Sequence, residues 1–250
     1  MREAATKMEN LPPVPAPEAD SPVCALRRAP SMIDFPGRMA GVLYVPGCNL
    51  RCGFCHNAAL LGAADAKRLS WKRLGAALRR LQADWADGIV LTGGEPTLDP
   101  ALPRLVERAR AEGFAVKLDT NGTRPEALAA VLPALDYVAV DLKCAPDRYP
   151  EVTGLDAAGA VAATLRLLRE RARDYEVRTT LIPALHGEED LRAMAAFLQG
   201  ARRWVLQPFV PRPDLPDPKL RAEPRTPPAL LRAAAERFRD AAGEVLVRGI

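Results

Sequence analysis

The sequence predicts an α/β fold, an open and partial (β/α)6 barrel with parallel strands. Short apolar runs alternate regularly with segments of helical periodicity, a pattern typical of parallel sheets with right-handed crossovers. Six such repeats fit between residues 41 and 207. Because this span is shorter than the ~250 residues of a complete eight-fold barrel, we expect the barrel to stay open.

The 250 residues divide into three predicted segments. Residues 1–30 are predicted to be a disordered or loosely packed leader, because prolines crowd this stretch at Pro12, Pro13, Pro15, Pro17 and Pro22. Residues 31–210 are predicted to form the core barrel. Residues 211–250 start with a proline-rich stretch over 211–228, and we expect their last helix and short strand to pack on the core.

The first half of the barrel begins with an apolar strand at 41–46 that leads into a loop containing cysteines. Ser70 can cap the first helix, whose apolar residues recur every three or four positions at Trp71, Leu74, Leu78 and Leu81. The following pattern predicts a strand at 88–92, a helix at 101–112 and a strand at 114–118.

The second half continues the alternation with the same two kinds of segment. Helices are predicted at 125–132, 157–171 and 188–199, and strands at 137–140, 175–181 and 203–206. A helix at 227–241 and a short strand at 244–247 complete the chain. The regular order of these elements is the basis for a single parallel sheet.

The composition excludes several classes of function. The net charge is only +4, and the basic residues are interspersed with acidic ones, so we expect no nucleic-acid partner. No apolar stretch reaches the ~18 residues of a membrane span, and the first 20 residues lack an apolar signal region. Five cysteines, three of them clustered, do not form a disulfide framework, so we expect a cytoplasmic protein.

Three of these cysteines, Cys48, Cys52 and Cys55, have the spacing C-x3-C-x2-C directly after the first strand. A short loop can bring such thiolates to one metal centre, and a [4Fe–4S] cluster held by three of them keeps one iron free for another ligand. The alternatives are three unrelated buried thiols or a zinc site whose fourth ligand lies elsewhere in the chain. His56 is a poor fourth ligand, because it directly follows Cys55 and cannot easily aim at the same ion. Cys24 and Cys144 lack cluster spacing and are interpreted as free thiols.

Polar or glycine-bearing segments lie at or near the ends of the predicted strands. They are Cys48–Asn57, Gly93–Pro96, Asp119–Gly122, Asp141–Lys143, Arg178–Thr180 and Gln207. Because the carboxyl ends of parallel strands meet at one rim, we expect these segments to form a single composite site.

Gly93 and Gly94 would let the polar end of a ligand approach the backbone closely, although a plain β-turn explains them too. Asp119 and Thr120 offer a carboxylate and a hydroxyl, or alternatively a capping turn.

Asp141 and Lys143 are two residues apart and therefore point to the same face of a strand. An inward aspartate suits a ribose or an ammonium group and an inward lysine suits a carboxylate, whereas a surface pair would have neither role. Arg178 would likewise reach into the barrel, unless it faces outward.

Together, the cysteine spacing, the flanking Gly47-Cys48-Asn49 and Cys55-His56-Asn57, and Gly93-Gly94-Glu95-Pro96 resemble the radical S-adenosylmethionine (radical SAM) enzymes, in particular the branch that activates glycyl-radical enzymes. The stretch from Ser31 to Phe209 resembles the anaerobic ribonucleoside-triphosphate reductase activating proteins of the pyruvate formate-lyase-activator type. This resemblance implies a partial TIM-like barrel, in agreement with the predicted elements.

The resemblance also implies a set of site residues. Cys48, Cys52 and Cys55 would hold one [4Fe–4S] cluster. SAM would be bound by Phe54, Cys55, His56, Gly93, Gly94, Glu95, Asp119, Thr120, Asp141, Leu142, Lys143 and Arg178. A monovalent cation would lie near Asp119. The family histidine of the sixth strand aligns with Val210, so that contact is lost or is supplied by Gln207.

The activity that the resemblance implies is reductive cleavage of SAM at the cluster, with flavodoxin or ferredoxin as electron donor. The 5′-deoxyadenosyl radical would then create a glycyl radical on a partner enzyme, anaerobic ribonucleotide reductase being the expected one. The short loop 58–70 has no cysteine, which argues against extra clusters. The alternatives are a radical SAM enzyme acting on a small molecule, such as a deazapurine synthase, and a non-catalytic metal-binding scaffold.

Overall fold

The computed structural model describes residues 20–27, 29–62 and 66–250. Within these residues eight strands form one sheet in chain order. The strands are β1 (Ala25–Leu26), β2 (Ala40–Val45), β3 (Gly88–Gly93), β4 (Ala115–Thr120), β5 (Tyr137–Asp141), β6 (Tyr175–Leu181), β7 (Ala201–Pro208) and β8 (Ala242–Val247). β1 is antiparallel to β2, and all the other neighbouring pairs are parallel.

The helices pack against the sheet through apolar faces. They are α1 (Trp71–Ala83), α2 (Leu102–Ala111), α3 (Pro125–Val131), α4 (Tyr149–Thr153), α5 (Ala158–Arg171), α6 (Glu188–Phe197), α7 (Pro218–Ala222) and α8 (Pro228–Arg237). In α1, the Ser70 hydroxyl accepts a hydrogen bond from the Arg73 N–H at 3.3 Å, and the residues predicted to form the apolar face are buried. The buried faces of the helices and most sheet side chains form one large core, and a second, smaller cluster contains Phe35, Ala40, Val42, Val90 and Tyr137.

The predicted α/β fold with an open parallel sheet is confirmed. Strands β2 to β7 are the six predicted strands, and each bound differs by at most a few residues. The sheet has one further strand at each edge. The predicted terminal strand joins it as β8 beside β7, and the two-residue β1 pairs with Leu43 and Tyr44 of β2.

Part of the stretch predicted to be a leader lies within the described residues. Residues 1–19 and 28 lie outside the described residues, but the chain is already packed from Ser21 onward. Ser21 and Val23 are fully buried, and the Ser21 N–H donates to the Leu69 carbonyl at 2.8 Å. Residues 21–26 therefore belong to the core, because Val23 contributes apolar area to it and β1 satisfies backbone groups at the edge of β2.

The chain after β7 returns to the loop that carries the cysteines. We call residues 209–217 the C-terminal cover and residues 47–57 the cysteine loop. In the cover, Phe209 and Leu215 are fully buried, and the Asp217 N–H donates to the Gly53 carbonyl at 3.0 Å. The proline-rich stretch thus contains a packed part that contacts the cysteine loop.

Among the described residues, none of the helices combines the length and the apolar character that crossing a lipid bilayer requires.

Candidate functional site

A cavity of about 210 Å³ lies at the carboxyl ends of the parallel strands. Twelve of the fourteen predicted site residues line it: Cys48, Cys52, Phe54, Cys55, His56, Gly93, Gly94, Asp119, Thr120, Asp141, Lys143 and Arg178. β3 ends at Gly93, β4 at Thr120 and β5 at Asp141, so the predicted meeting of these segments at one rim is observed.

The three clustered cysteines share this cavity, and the other two cysteines do not line it. Cys52 is only 5% exposed, whereas Cys48 and Cys55 are partly exposed. Burial raises the pKa of the Cys52 thiol to about 11, although the nearby Lys143 opposes this shift. A metal centre binds thiolates, so it would displace a proton from Cys52 on binding.

The arrangement of the thiols bears on which metal centre fits. Among the described residues, no three His, Cys, Asp or Glu side chains form a group that could hold a metal ion. A zinc ion needs its thiolates converged at bonds of ~2.3 Å, whereas a cubane cluster offers a separate iron to each cysteine. Cys48, Cys52 and Cys55 all line the cavity, and three thiolates are the number that would hold a [4Fe–4S] cluster with one iron open to another ligand.

Gly93 and Gly94 lie against the backbone that begins the cysteine loop. Gly93 has φ +126°, and the Gly94 N–H donates to the Val45 carbonyl at 2.9 Å. The Glu95 N–H donates to the Gly47 carbonyl at 2.7 Å. A Cβ atom on Gly94 would lie 2.0 Å from that carbonyl oxygen. The two glycines therefore allow two backbone segments to touch at the cavity wall.

Glu95 does not line the cavity, and its cofactor contact stays a prediction. Its side chain is fully buried, and its carboxylate accepts hydrogen bonds from both the N–H and the hydroxyl of Thr97, the Thr120 hydroxyl and the Asn121 N–H. Burial raises its pKa, and these hydrogen bonds oppose the shift. Glu95 thus cross-links the end of β3 to the end of β4.

Leu142 is the second predicted residue that does not line the cavity. Its side chain is 1% exposed within the core. The neighbours of the leucine on both sides, Asp141 and Lys143, do line the cavity, as expected for the alternation of a strand. Leu142 therefore anchors this strand end in the core.

His56 faces the C-terminal cover. Its Nε2 lies 2.9 Å from the Val210 carbonyl oxygen, and since a carbonyl only accepts, Nε2 must carry the proton. Burial lowers the pKa of this histidine. The position that aligns with the family histidine therefore contributes a backbone carbonyl here. Gln207, the other candidate for that contact, is not among the cavity-lining residues.

Asp141, Arg178 and Lys143 form an ion-paired group in the cavity wall. Asp141, at the end of β5, lies opposite Arg178 of the neighbouring strand β6. Arg178 Nε lies 2.9 Å from Asp141 Oδ1, and Lys143 Nζ lies 2.9 Å from Oδ2. Burial alone would raise the pKa of Asp141, but Arg178 and Lys143 outweigh it and lower the pKa to about 2. Asp141 is consequently ionised throughout the neutral range.

Replacing Asp141 by asparagine is expected to lower the free energy of unfolding at neutral pH by about 2 kcal/mol. The folded-state pKa of about 2 lies below the ordinary 3.8, so the stabilisation is full above 3.8 and is lost as pH falls toward 2. The difference between wild type and Asp141→Asn should therefore shrink over that interval. Urea denaturation of the cluster-free chain measures it, with exposed Asp147→Asn as control. A difference that stays constant with pH would contradict the prediction.

Several residues that position the site were not predicted from the sequence. The Asn121 amide donates to Asn49 Oδ1 at 2.9 Å, the Asn49 amide donates to Thr123 Oγ1 at 2.8 Å, and the Asn57 amide donates to the Gly93 carbonyl at 2.8 Å. Asn49 and Asn57 lie inside the cysteine loop, and this position beside the cysteines was a usable signal. These amides tie the loop to the ends of β3 and β4.

His186 has a similar positioning role behind the cavity. Its Nδ1 accepts from the Ile182 N–H at 2.9 Å, so Nε2 carries the proton and donates to the Lys143 carbonyl at 3.0 Å. The side chain is 5% exposed. It fixes the backbone of Lys143 relative to the loop after β6.

Comparison with known proteins identifies a family. The model of the Radical SAM superfamily matches residues 42–198, which is more than half of the chain. The matched region runs from β2 to the helix before β7 and contains the cysteine loop.

Two relatives indicate what similar chains do. A Methanocaldococcus jannaschii protein, whose name proposes a glycyl-radical enzyme activating role, is 33% identical over 194 residues, covering 73% of this chain and 78% of the relative. The 7-carboxy-7-deazaguanine synthase of Neisseria meningitidis is 37% identical over 105 residues, covering 41% of this chain and 43% of the synthase.

A solved structure supports the fold. Streptococcus suis SuiB bound to its precursor peptide SuiA superposes with a TM-score of 0.67 at 16% sequence identity. The match covers 83% of this chain and 48% of SuiB. At this identity the likeness concerns the architecture of the sheet and helices.

Proposed function

The chain belongs to the radical SAM superfamily, and from that membership we propose that it is an activating enzyme that generates a glycyl radical on a partner protein. The finer proposal is that the partner is an anaerobic ribonucleoside-triphosphate reductase. The observation that carries the activating role is the match to the Methanocaldococcus jannaschii protein, which extends over 78% of that relative.

Family membership implies a [4Fe–4S] cluster and SAM. When bound, they supply a 5′-deoxyadenosyl radical that takes a hydrogen atom from the substrate. Cys48, Cys52 and Cys55 would each hold one iron, and no other cysteine lines the cavity. The chain thus offers three thiolates and leaves the fourth coordination position to a ligand.

The remaining residues of the cavity would bind and orient that ligand. Gly93 and Gly94 line the cavity, and their backbone polar groups would contact that ligand. Lys143 and Arg178 suit a carboxylate, and Asp141, which is paired with both, would hold them in place and could also accept from a ribose hydroxyl. Leu50 and Phe54, both largely buried, form an apolar part of the cavity wall that would exclude water.

Two further parts of the proposal concern the surroundings of the enzyme. Flavodoxin or ferredoxin would donate the electron that SAM cleavage requires, since the chain offers cysteines for one cluster only. The cytoplasm is the proposed compartment, because clustered free thiols suit a reducing environment.

Electron paramagnetic resonance tests the activating role. Reconstituted, reduced protein mixed anaerobically with SAM and the candidate reductase should produce a glycyl radical signal on the reductase. The signal should be absent when SAM is omitted. SAM cleavage without any radical on the reductase would contradict the finer proposal, and the other glycyl-radical enzymes of the same organism would then be tested in turn.

A second candidate is a radical SAM enzyme acting on a small molecule. The 37% identity to a 7-carboxy-7-deazaguanine synthase favours it, although over only 41% of this chain. Substrate-dependent formation of 5′-deoxyadenosine with a purine precursor, and no radical on any protein partner, would select this candidate. The third hypothesis, a non-catalytic scaffold, does not agree with the enzymes that the chain matches.

A further inference from the structure

Five charged side chains from β4, β6 and the end of β5 form a continuous row, and four of them line the cavity. We call Lys117, Asp119, Arg178, Asp141 and Lys143 the charge row. Each neighbouring pair in it is an ion pair with a nitrogen to oxygen distance between 2.6 and 3.0 Å. With three cations and two carboxylates, the row has one net positive charge.

Lys117 is the buried end of this row. It is 1% exposed and lies two residues before Asp119 on β4, so both side chains are on the same face of the strand. Lys117 Nζ lies 2.6 Å from Asp119 Oδ1, and Arg178 Nη1 lies 3.0 Å from Asp119 Oδ2. Each oxygen of the Asp119 carboxylate therefore already faces a cation of the protein.

Thr120, which directly follows Asp119, is similarly engaged. Its hydroxyl donates to Glu95 Oε1 at 2.8 Å and accepts from the Gly122 N–H at 3.1 Å. An alkali ion at Asp119 would therefore compete with Lys117 and Arg178 for the carboxylate and would add positive charge to a row that already has an excess. The residues present do not fit a bound monovalent cation.

We propose that Lys117 supplies, from within the chain, the positive charge that a small cation would supply to Asp119, so that this enzyme binds SAM without an alkali cation. Lys117 does not line the cavity, and it acts through Asp119, which does. It is thus a positioning residue. This inference deepens the proposed function, because it rests on the proposed SAM site.

The test compares three forms of the cluster-loaded protein in potassium chloride and in tetramethylammonium chloride at equal ionic strength. Wild type should bind SAM with the same dissociation constant in both salts. Lys117→Ala removes the charge and opens space, so its binding should be about tenfold weaker in tetramethylammonium and should recover in potassium. Lys117→Met keeps the volume without the charge, so its binding should be weak in both salts.

Two controls separate charge from folding. Lys72→Ala removes an exposed lysine of α1 and should behave as wild type in both salts. The sodium NMR linewidth of the cluster-free chain reports cation binding directly, and it should broaden for Lys117→Ala but not for wild type or Lys117→Met. Melting temperatures of all variants show whether each is folded.

The outcomes distinguish the two proposals. Wild type that binds SAM only with potassium would overturn the role of Lys117 and leave the proposed function intact. Two Lys117 variants that are equally weak and indifferent to salt would overturn it as well, because the lysine would then be only structural. Wild type that binds no SAM in either salt would overturn the proposed function itself.

Discussion

Replacing Cys52 by alanine is expected to abolish SAM cleavage and the formation of the cluster. Cys52 is the most buried of the three cavity cysteines, at 5% exposure, and the cavity wall offers no substitute thiol. Loss of one thiolate leaves two, which is too few to hold a cubane with a single open iron. Iron and sulfide content per chain, and methionine released from SAM, measure the two effects after anaerobic reconstitution.

Cys24→Ala is the matched control for this experiment. Cys24 lies beside β1, where its thiol donates to the Tyr44 carbonyl at 3.3 Å, and it does not line the cavity. This variant should retain wild-type iron content and turnover. Normal turnover in Cys52→Ala, or an equal loss in Cys24→Ala, would rule out the assignment of the cluster to the cysteine loop.

Replacing Gly94 by alanine is expected to have the second largest effect. The new Cβ would lie 2.0 Å from the carbonyl oxygen and 2.6 Å from the carbonyl carbon of Gly47. Both are backbone atoms that cannot rotate away, so the cysteine loop or the end of β3 must shift. We expect a loss of about 3 kcal/mol in stability, the upper part of the usual range for overpacking, together with loss of SAM binding.

Gly159→Ala provides a control with the opposite sign. Gly159 is an exposed residue of α5, and a Cβ added there would meet no atom within 4 Å. Gly159 lies in the first turn of α5, where alanine in place of glycine should stabilise the chain by up to roughly 0.5 kcal/mol. Equilibrium denaturation compares the two variants, and SAM binding is measured by equilibrium dialysis. Unchanged stability and binding in Gly94→Ala would contradict the close approach of the two segments.

The fold and the cavity could be predicted because their signals are local. The alternation of apolar runs with helical periodicity placed β2 to β7, and the positions of Gly93, Asp119 and Asp141 at strand ends followed from it. The carboxyl ends of parallel strands share one rim, so residues distant in sequence were brought together correctly.

The partners of individual side chains could not be predicted in this way. Glu95 is next to two glycines that line the cavity, but its carboxylate turns inward because four donors from Thr97, Thr120 and Asn121 satisfy it there. Lys117 interrupts an apolar strand on the same face as Asp119, but only the packing of β4, β5 and β6 shows that Arg178 takes the second oxygen of that carboxylate. Such contacts depend on tertiary geometry, which a one-dimensional pattern does not contain.

The C-terminal cover has a consequence for how such enzymes could diversify. It lies downstream of residue 198, where the family match ends, yet it touches the backbone between two of the cysteines at Gly53. A change of length or sequence over 210–216 would alter the surface that contacts the cysteine loop at Gly53 and His56 without altering any strand. Descendants of one ancestral chain could therefore exchange their targets by varying a short tail segment while inheriting the same radical chemistry.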